Sequence, residues 1–101
     1  MPELGALVAL VGPTAVGKSR VAIELAVALG GEIVSADSRL IYREMDIGTA
    51  KPSREQRRRV PHHLINVAEP EENWSLATFK QAAEAAIKQI QARGQLPLLV
   101  G

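Results

Sequence analysis

Hydrophobic positions along this chain follow two alternating rhythms. Residues 6–12, ALVALVG, form a short continuous apolar run, the pattern of a strand buried on both faces. From Gly17 the period lengthens. Val21, Leu25 and Leu29 recur every four residues, with Ala22, Ala26 and Ala28 around them, which predicts a helix lying close on a sheet. Gly30 and Gly31 supply its stop. Residues 32–37, EIVSAD, predict a second strand, so the chain opens as strand, glycine turn, helix, strand.

Over residues 38–52 the rhythm lapses. Fifteen residues are long for a connection inside a compact domain, and such loops are usually functional or mobile. Ser53 and Gln56 then form the Ser-x-x-Gln pattern of a capping box, predicting a short helix to about Val60 that stops before Pro61. HHLINV reads as a third strand and EPEEN as a polar turn. Ser75 can cap a longer helix whose buried face is Leu76, Phe79, Ala83, Ile87 and Ile90, with Gly94 at its end. LPLLVG supplies a fourth strand. Strands alternating with helices predict an α/β fold: a mostly parallel sheet with flanking helices. The chain closes on a strand with no loop after it, although ligands in such sheets sit at that end, so part of a longer domain is expected.

Composition narrows the class. Hydrophobic residues make up 47% of the 101, but only three are aromatic, so the core must be built from Val, Ile, Leu and Ala. There is no cysteine, which excludes a disulfide framework or thiolate metal site. The net charge of +1 neither demands nor excludes a polyanionic partner. The start, MPELG, lacks a basic leader, and no apolar run approaches the roughly 20 residues that cross a bilayer. The expectation is a soluble cytoplasmic protein with no membrane partner.

The chemistry concentrates in the first turn. Gly12, Pro13, Thr14, Ala15, Val16, Gly17, Lys18 and Ser19 satisfy G-x-x-x-x-G-K-[ST] at every fixed position. Glycines let the backbone curl so that successive N–H groups face inward as a nest for anions. The helix starting near Lys18 adds its free amides and positive dipole end. Lys18 is a point charge, and the Ser19 hydroxyl is a hard ligand suited to magnesium. A chance match in 100 residues is on the order of a few in a thousand, given ordinary glycine usage. Phosphate binding is therefore predicted, but kinases, GTPases and ATPases all use such a turn.

Asp37, at the carboxyl end of the second predicted strand, shares the sheet edge where that turn opens. It could accept a proton beside the bound phosphate, hold magnesium through water, or cap a turn.

GPTAVGKS, then SADSRLIYREMDIGTAKP, then VPHHLINVAEP closely resemble, in order and spacing, the start of the tRNA dimethylallyltransferases. WSLATFKQAAEAAI and LPLLVG resemble the continuation of that family's pattern. The phosphate turn is shared widely; DSRLIY with MDIGTAKP and PHHLI is far more specific. The resemblance covers essentially the whole chain, as the N-terminal part of a P-loop NTPase-like transferase domain. Gly101 matches the first glycine of the family's Gly-Gly-Thr-Gly-Leu-Tyr motif, so the rest of a longer chain is expected beyond it.

The resemblance implies a catalytic scheme. The phosphate turn would hold dimethylallyl diphosphate, whose allylic group moves to the exocyclic amine of an adenine beside the tRNA anticodon. Thr14 would bond the leaving diphosphate, Lys18 and the loop amides would neutralise it, and Ser19 would carry Mg2+. Asp37 would take the amine's proton. Asp37, Ser38, Arg39 and Leu40 align with the family's tRNA-contacting segment. Leu40 stands where the family often has Gln, and Asn66 where it usually has Asp. The expected partners are the anticodon stem-loop of tRNA and the diphosphate donor, with a monomer at full length and little activity from this stretch alone.

Other features point elsewhere or nowhere. His62 and His63 are adjacent on a predicted strand, face opposite sides and cannot chelate one ion, so a structural or capping role is expected. Arg57, Arg58 and Arg59, with Lys51 and Arg54, could touch RNA phosphates but read first as a solvated helix face. Trp74 is placed to staple a helix start. The alternative functions are a small P-loop kinase using ATP, which would need a basic lid, and a non-catalytic nucleotide-binding module.

Overall fold

The computed structural model describes residues 6–10, 18–43, 51–69 and 71–101; the side chain of Arg39 lies outside that set. Its described elements are β1 (Val8–Leu10), α1 (Lys18–Leu29), β2 (Gly31–Ser35), a 3-10 turn (Ser38–Ile41), α2 (Arg54–Arg59), β3 (His62–His63), α3 (Leu76–Ala92) and β4 (Leu96–Val100). The four strands form one parallel sheet in the order β1-β4-β2-β3. β4, last in sequence, therefore lies between β1 and β2.

Alternation along the central strands builds a core on each face. Ile33 and Leu98 join Ala22, Ile23 and Ala26 of α1 and Val60 on one side. Val34 joins Phe79, Ala86, Ile87 and Ile90 of α3, with Ile41, Leu64 and Ala68, on the other. Burying each such branched side chain contributes about 1.5–3 kcal/mol.

Both predicted caps form. The Gln56 N–H donates to Ser53 Oγ (3.1 Å) and the Ser53 N–H to Gln56 Oε1 (2.9 Å), closing the capping box. At α3, the Thr78 N–H donates to Ser75 Oγ (3.0 Å). Its far end closes with Gly94 at φ +76°, while Gln95 N–H reaches the Ile90 carbonyl (3.1 Å) and Gly94 N–H that of Gln91 (2.9 Å). Gly31 is required by proximity: a Cβ there would meet the Leu96 carbonyl oxygen at 2.5 Å.

The structure corrects the pattern in several places. α1 buries Ala22, Ile23 and Ala26, while Val21, Val27 and Leu29 lie about half exposed. Small side chains let the helix axis come near the sheet, and of the four-residue apolar row only Leu25 packs against the core. β1 is not buried on both faces: it is an edge strand among the described residues, and Ala9 is exposed because α3 packs over β2 and β4. Val11 and Gly12 lie outside the described residues. β2 ends at Ser35, not Asp37. Leu76 is 81% exposed rather than on the buried face of α3.

The third strand is cut to two residues. Leu64 (φ +67°) and Asn66 (φ +57°) adopt the left-handed conformation, which no strand continues through. The freed backbone pairs instead with the segment after β2: Asn66 N–H donates to the Leu40 carbonyl (3.1 Å), and Val67 and Ala68 N–H to that of Ile41 (2.8 and 2.9 Å). Part of the predicted 38–52 loop is thus ordered, with Leu40 and Ile41 buried; residues 44–50 lie outside the described set.

Candidate active site

Parallel strands bring several chain segments to one edge, and polar side chains converge there. Lys18 and Ser19 open α1, directly after the glycine turn. Residues 12–17 of that turn, including Thr14, lie outside the described residues, so only its last two positions are seen. Both line a cavity at the carboxyl ends of the strands. Ser35 and Asp37 enter from the end of β2, Leu40 from the 3-10 turn, and His62 from β3. Four of the predicted site residues, Lys18, Ser19, Asp37 and Leu40, therefore share one cavity although the sequence separates them by as many as 22 positions.

Lys18 Nζ donates to the carbonyl oxygen of Gly101 (2.7 Å), beyond the end of β4. This bond fixes the stem of Lys18 beside the cavity. Gly101 in turn donates its N–H to the Leu10 carbonyl (3.1 Å), and Ala36 N–H donates to that of Val100 (2.8 Å). These bonds lock the ends of β1, β4 and β2 at one level. A Cβ on Gly101 would lie 2.8 Å from the Ala36 Cβ, so only glycine fits at that level.

The Asp37 backbone is held by its neighbour. Its N–H donates to Ser35 Oγ (3.3 Å), and the same hydroxyl donates to the Asp37 carbonyl at 3.4 Å. Ser35 itself is buried. The turn is thus braced by the Ser35 hydroxyl, and the half-buried Asp37 lines the cavity. Of the other proposed tRNA contacts, Ser38 is exposed and Leu40 is buried in the cavity wall, where an apolar side chain fits.

His62 belongs to the site as well, which sequence reasoning missed by assigning both histidines a structural or capping role. The predicted divergence does hold. β3 pairs Ile33 with His62 and Val34 with His63, so the two rings lie on opposite faces. His63 Nε2 donates to Glu32 Oε1 (2.7 Å), away from the cavity. His62 Nδ1 lies 2.7 Å from the Val60 carbonyl, which only accepts, so Nδ1 carries the proton. Burial pushes the His62 imidazole below its ordinary value against the opposing Val60 bond; Arg57 and His63 push it further down. It faces the cavity side of the sheet as a neutral ring. The available signal was its register opposite Ile33, which only strand pairing reveals.

The Asn66 departure from the family pattern has a local explanation. Lys51 Nζ donates to Asn66 Oδ1 (2.7 Å) and to the Tyr42 carbonyl (3.1 Å), tying the chain before α2 to the turn after β3. The amide keeps the bond an aspartate would make there without its charge. Asn also tolerates the left-handed φ of that position. Trp74 packs against the cluster that contains Phe79, in keeping with a helix staple.

A fit to magnesium can be judged from the donors. No group of three or more His, Asp or Glu side chains gathers among the described residues. Magnesium keeps most of its waters and needs few protein ligands; the Ser19 hydroxyl and the Asp37 carboxylate both line the cavity and are oxygen donors of the kind it takes.

Comparison with known proteins agrees with this layout. The tRNA dimethylallyltransferase of Thermomicrobium roseum is 60% identical over 95 residues, spanning 94% of this chain and 29% of the relative. The enzyme of the same name from Methylococcus capsulatus is 60% identical over 99 residues, 98% of this chain and 32% of its own. The full-length tRNA isopentenylpyrophosphate transferase of Bacillus halodurans superposes with a TM-score of 0.87 at 50% identity, covering 95% of this chain and 32% of that one. A eukaryotic dimethylallyltransferase acting on tRNA gives 0.87 at 33% identity, with 95% and 24% covered. The chain thus spans about 30% of the length of these curated relatives. Its parallel sheet with helices on both faces is the P-loop NTPase-like arrangement expected from the sequence. The sequence profile described as IPP transferase matches residues 40–101, beginning at Leu40 and running through PHHLI to Gly101, and the chain belongs to that family.

Proposed function

We propose that this chain carries the donor-binding turn and catalytic carboxylate of an enzyme that moves a dimethylallyl group from dimethylallyl diphosphate to the exocyclic amine of an adenine next to a tRNA anticodon. The observation that carries the reading is the meeting of Lys18, Ser19 and Asp37 in one cavity. Family membership and the names of the relatives support it.

Breaking the carbon–oxygen bond leaves positive charge on the allyl group and negative charge on diphosphate. Lys18, with Thr14 and the N–H groups of the glycine turn other than Pro13, stabilises the departing anion without reorganising. Asp37 accepts the amine proton as the nitrogen–carbon bond forms, a role typically worth about 10²- to 10⁴-fold. Ser19 would hold Mg2+, which supplies further positive charge to the diphosphate oxygens. The adenine must leave its stack, at a cost of a few kcal/mol that is smallest in a loop. Ser38, Arg39 and Leu40 come directly after Asp37 and are assigned to the RNA. The full-length enzyme is read as a cytoplasmic monomer; no helix among the described residues is long and apolar enough to cross a membrane.

The test uses full-length protein, dimethylallyl diphosphate labelled in its five-carbon group, and anticodon stem-loop RNA. Label is expected to appear in the RNA. Transfer of the terminal phosphate of ATP to a small acceptor instead would make the protein a kinase, and donor binding without turnover would make it a non-catalytic module. Either result overturns the proposal.

A further inference from the structure

The arginines whose side chains are described divide into two groups. Arg20, Arg43 and Arg93 each lie within 4.0 Å of a carboxylate, on Glu24, Glu69 and Glu32. Arg54, Arg57, Arg58 and Arg59 do not: among the described residues, none of their side chains has an ion-pair or hydrogen-bond partner. All four sit on α2, a six-residue helix whose only acid is Glu55. The chain as a whole is nearly balanced, at +1, so this helix is a local concentration of uncompensated positive charge.

Helix stability does not account for it. Cations in the last turn complement the helix dipole, but the effect falls off within that turn and three arginines crowd it together. Like charges on neighbouring positions oppose one another. Position is more informative. Pro52, two residues before α2, and His62, three residues after it, both line the cavity that holds Asp37. Val60 anchors the end of α2 in the core on the α1 side. The helix is therefore a rim of the site, with Arg54, Arg58 and Arg59 exposed. Arg57 is different: it is half-buried, with Nη1 buried, and its charge helps hold the His62 imidazole below its ordinary value.

We infer that Arg54, Arg58 and Arg59 form a docking surface for the phosphate backbone of the RNA whose base enters the cavity. The inference rests on the proposed function and adds a surface to it. Guanidinium groups match phosphate oxygens in a planar fork, and exposed unpaired ones release counterions on binding. Such contacts hold the RNA in register without reading sequence. Base choice stays with the cavity.

The experiment compares the full-length protein with two triple variants, R54Q/R58Q/R59Q and R54K/R58K/R59K. Affinity for labelled anticodon stem-loop RNA is measured by fluorescence anisotropy over a range of salt concentrations. Donor affinity and prenyl transfer are measured alongside. The Gln variant is expected to bind RNA about tenfold or more weakly at low salt. The slope of log K against log salt should fall by about two to three, at roughly 0.7–0.9 for each phosphate the protein ceases to neutralise. Donor affinity should stay as in the parent, which also reports that the fold is intact. The Lys variant should keep most of the slope. A parent that transfers label but whose slope the Gln variant leaves unchanged overturns this inference alone. A parent that transfers none to RNA overturns the proposed function and this surface with it. Binding to anionic lipid vesicles that depends on the three arginines, with the RNA slope unaltered, would assign the patch to a membrane and also overturn the inference.

Discussion

Polar groups meet on both faces of this sheet, but they are handled differently. Toward the amino end of β2, Glu32 is buried, accepts from His63 Nε2 at 2.7 Å and pairs with Arg93 Nη2 at 2.6 Å and Nε at 3.3 Å. The three side chains come from β2, β3 and the end of α3, and they satisfy one another. Burial alone would raise the Glu32 carboxyl; the His63 and Arg93 bonds outweigh it and hold the group below its usual range. On the opposite face, beside α1, Lys18, Ser19, Asp37 and His62 line an open cavity instead. A polar cluster that closes on itself ties elements together, and one that faces a cavity is available to a ligand. Both clusters are ionic; what separates their roles is where the remaining hydrogen-bonding capacity points.

Four measurements test that division, and the first has the largest effect. Asp37→Ala should slow single-turnover prenyl transfer by about 10²- to 10⁴-fold, with donor affinity nearly unchanged. Equal loss of both would move Asp37 to the structural side of the comparison. Lys18→Ala should weaken donor binding itself by roughly tenfold or more, the size of one charge-assisted bond, as read by titration calorimetry. Glu32→Gln should lower unfolding free energy in urea by about 1–3 kcal/mol, since Arg93 and His63 lose a charged acceptor, while transfer by the folded fraction is unchanged. A drop in turnover without a drop in stability would break the comparison.

The smallest effect is on pH dependence. The folded state holds His62 below its ordinary 6.5, so below about that pH the unfolded chain takes up a proton that the folded chain resists. Stability should begin to decline as pH falls through 6.5, and His62→Asn should flatten that part of the profile. Glu32, held below 4.5, adds stability that is complete above that value and is lost as pH drops through its lowered one. Urea midpoints across roughly pH 3–8 separate the two windows, the first set by His62 and the second by Glu32.

Caps and stops were legible in the sequence because they are local. Ser53 with Gln56, Ser75 with Thr78, and the glycines after α1 and α3 each act within a few residues. Which face of a helix is buried is not local. In α1 the apolar row Val21–Leu25–Leu29 yields to the smaller Ala22–Ile23–Ala26 face because the sheet rewards close approach. The early end of β3 was hidden too, since a leucine carries no signal for a positive φ. Glu32 gave no hint of its partners, which lie 31 and 61 residues away. For the site, Lys18, Ser19 and Asp37 were readable from motif and strand ends, whereas His62 required the pairing of β3 with β2.

The place of β4 has a consequence for how the molecule is made. β1 and β2 leave the ribosome first, yet each needs β4 as its neighbour, and Lys18 waits for a carbonyl 83 positions downstream. During synthesis the ends of β1 and β2 are therefore not joined until the last described strand slides into the gap. A nascent chain stalled before that moment would expose a split sheet to chaperones.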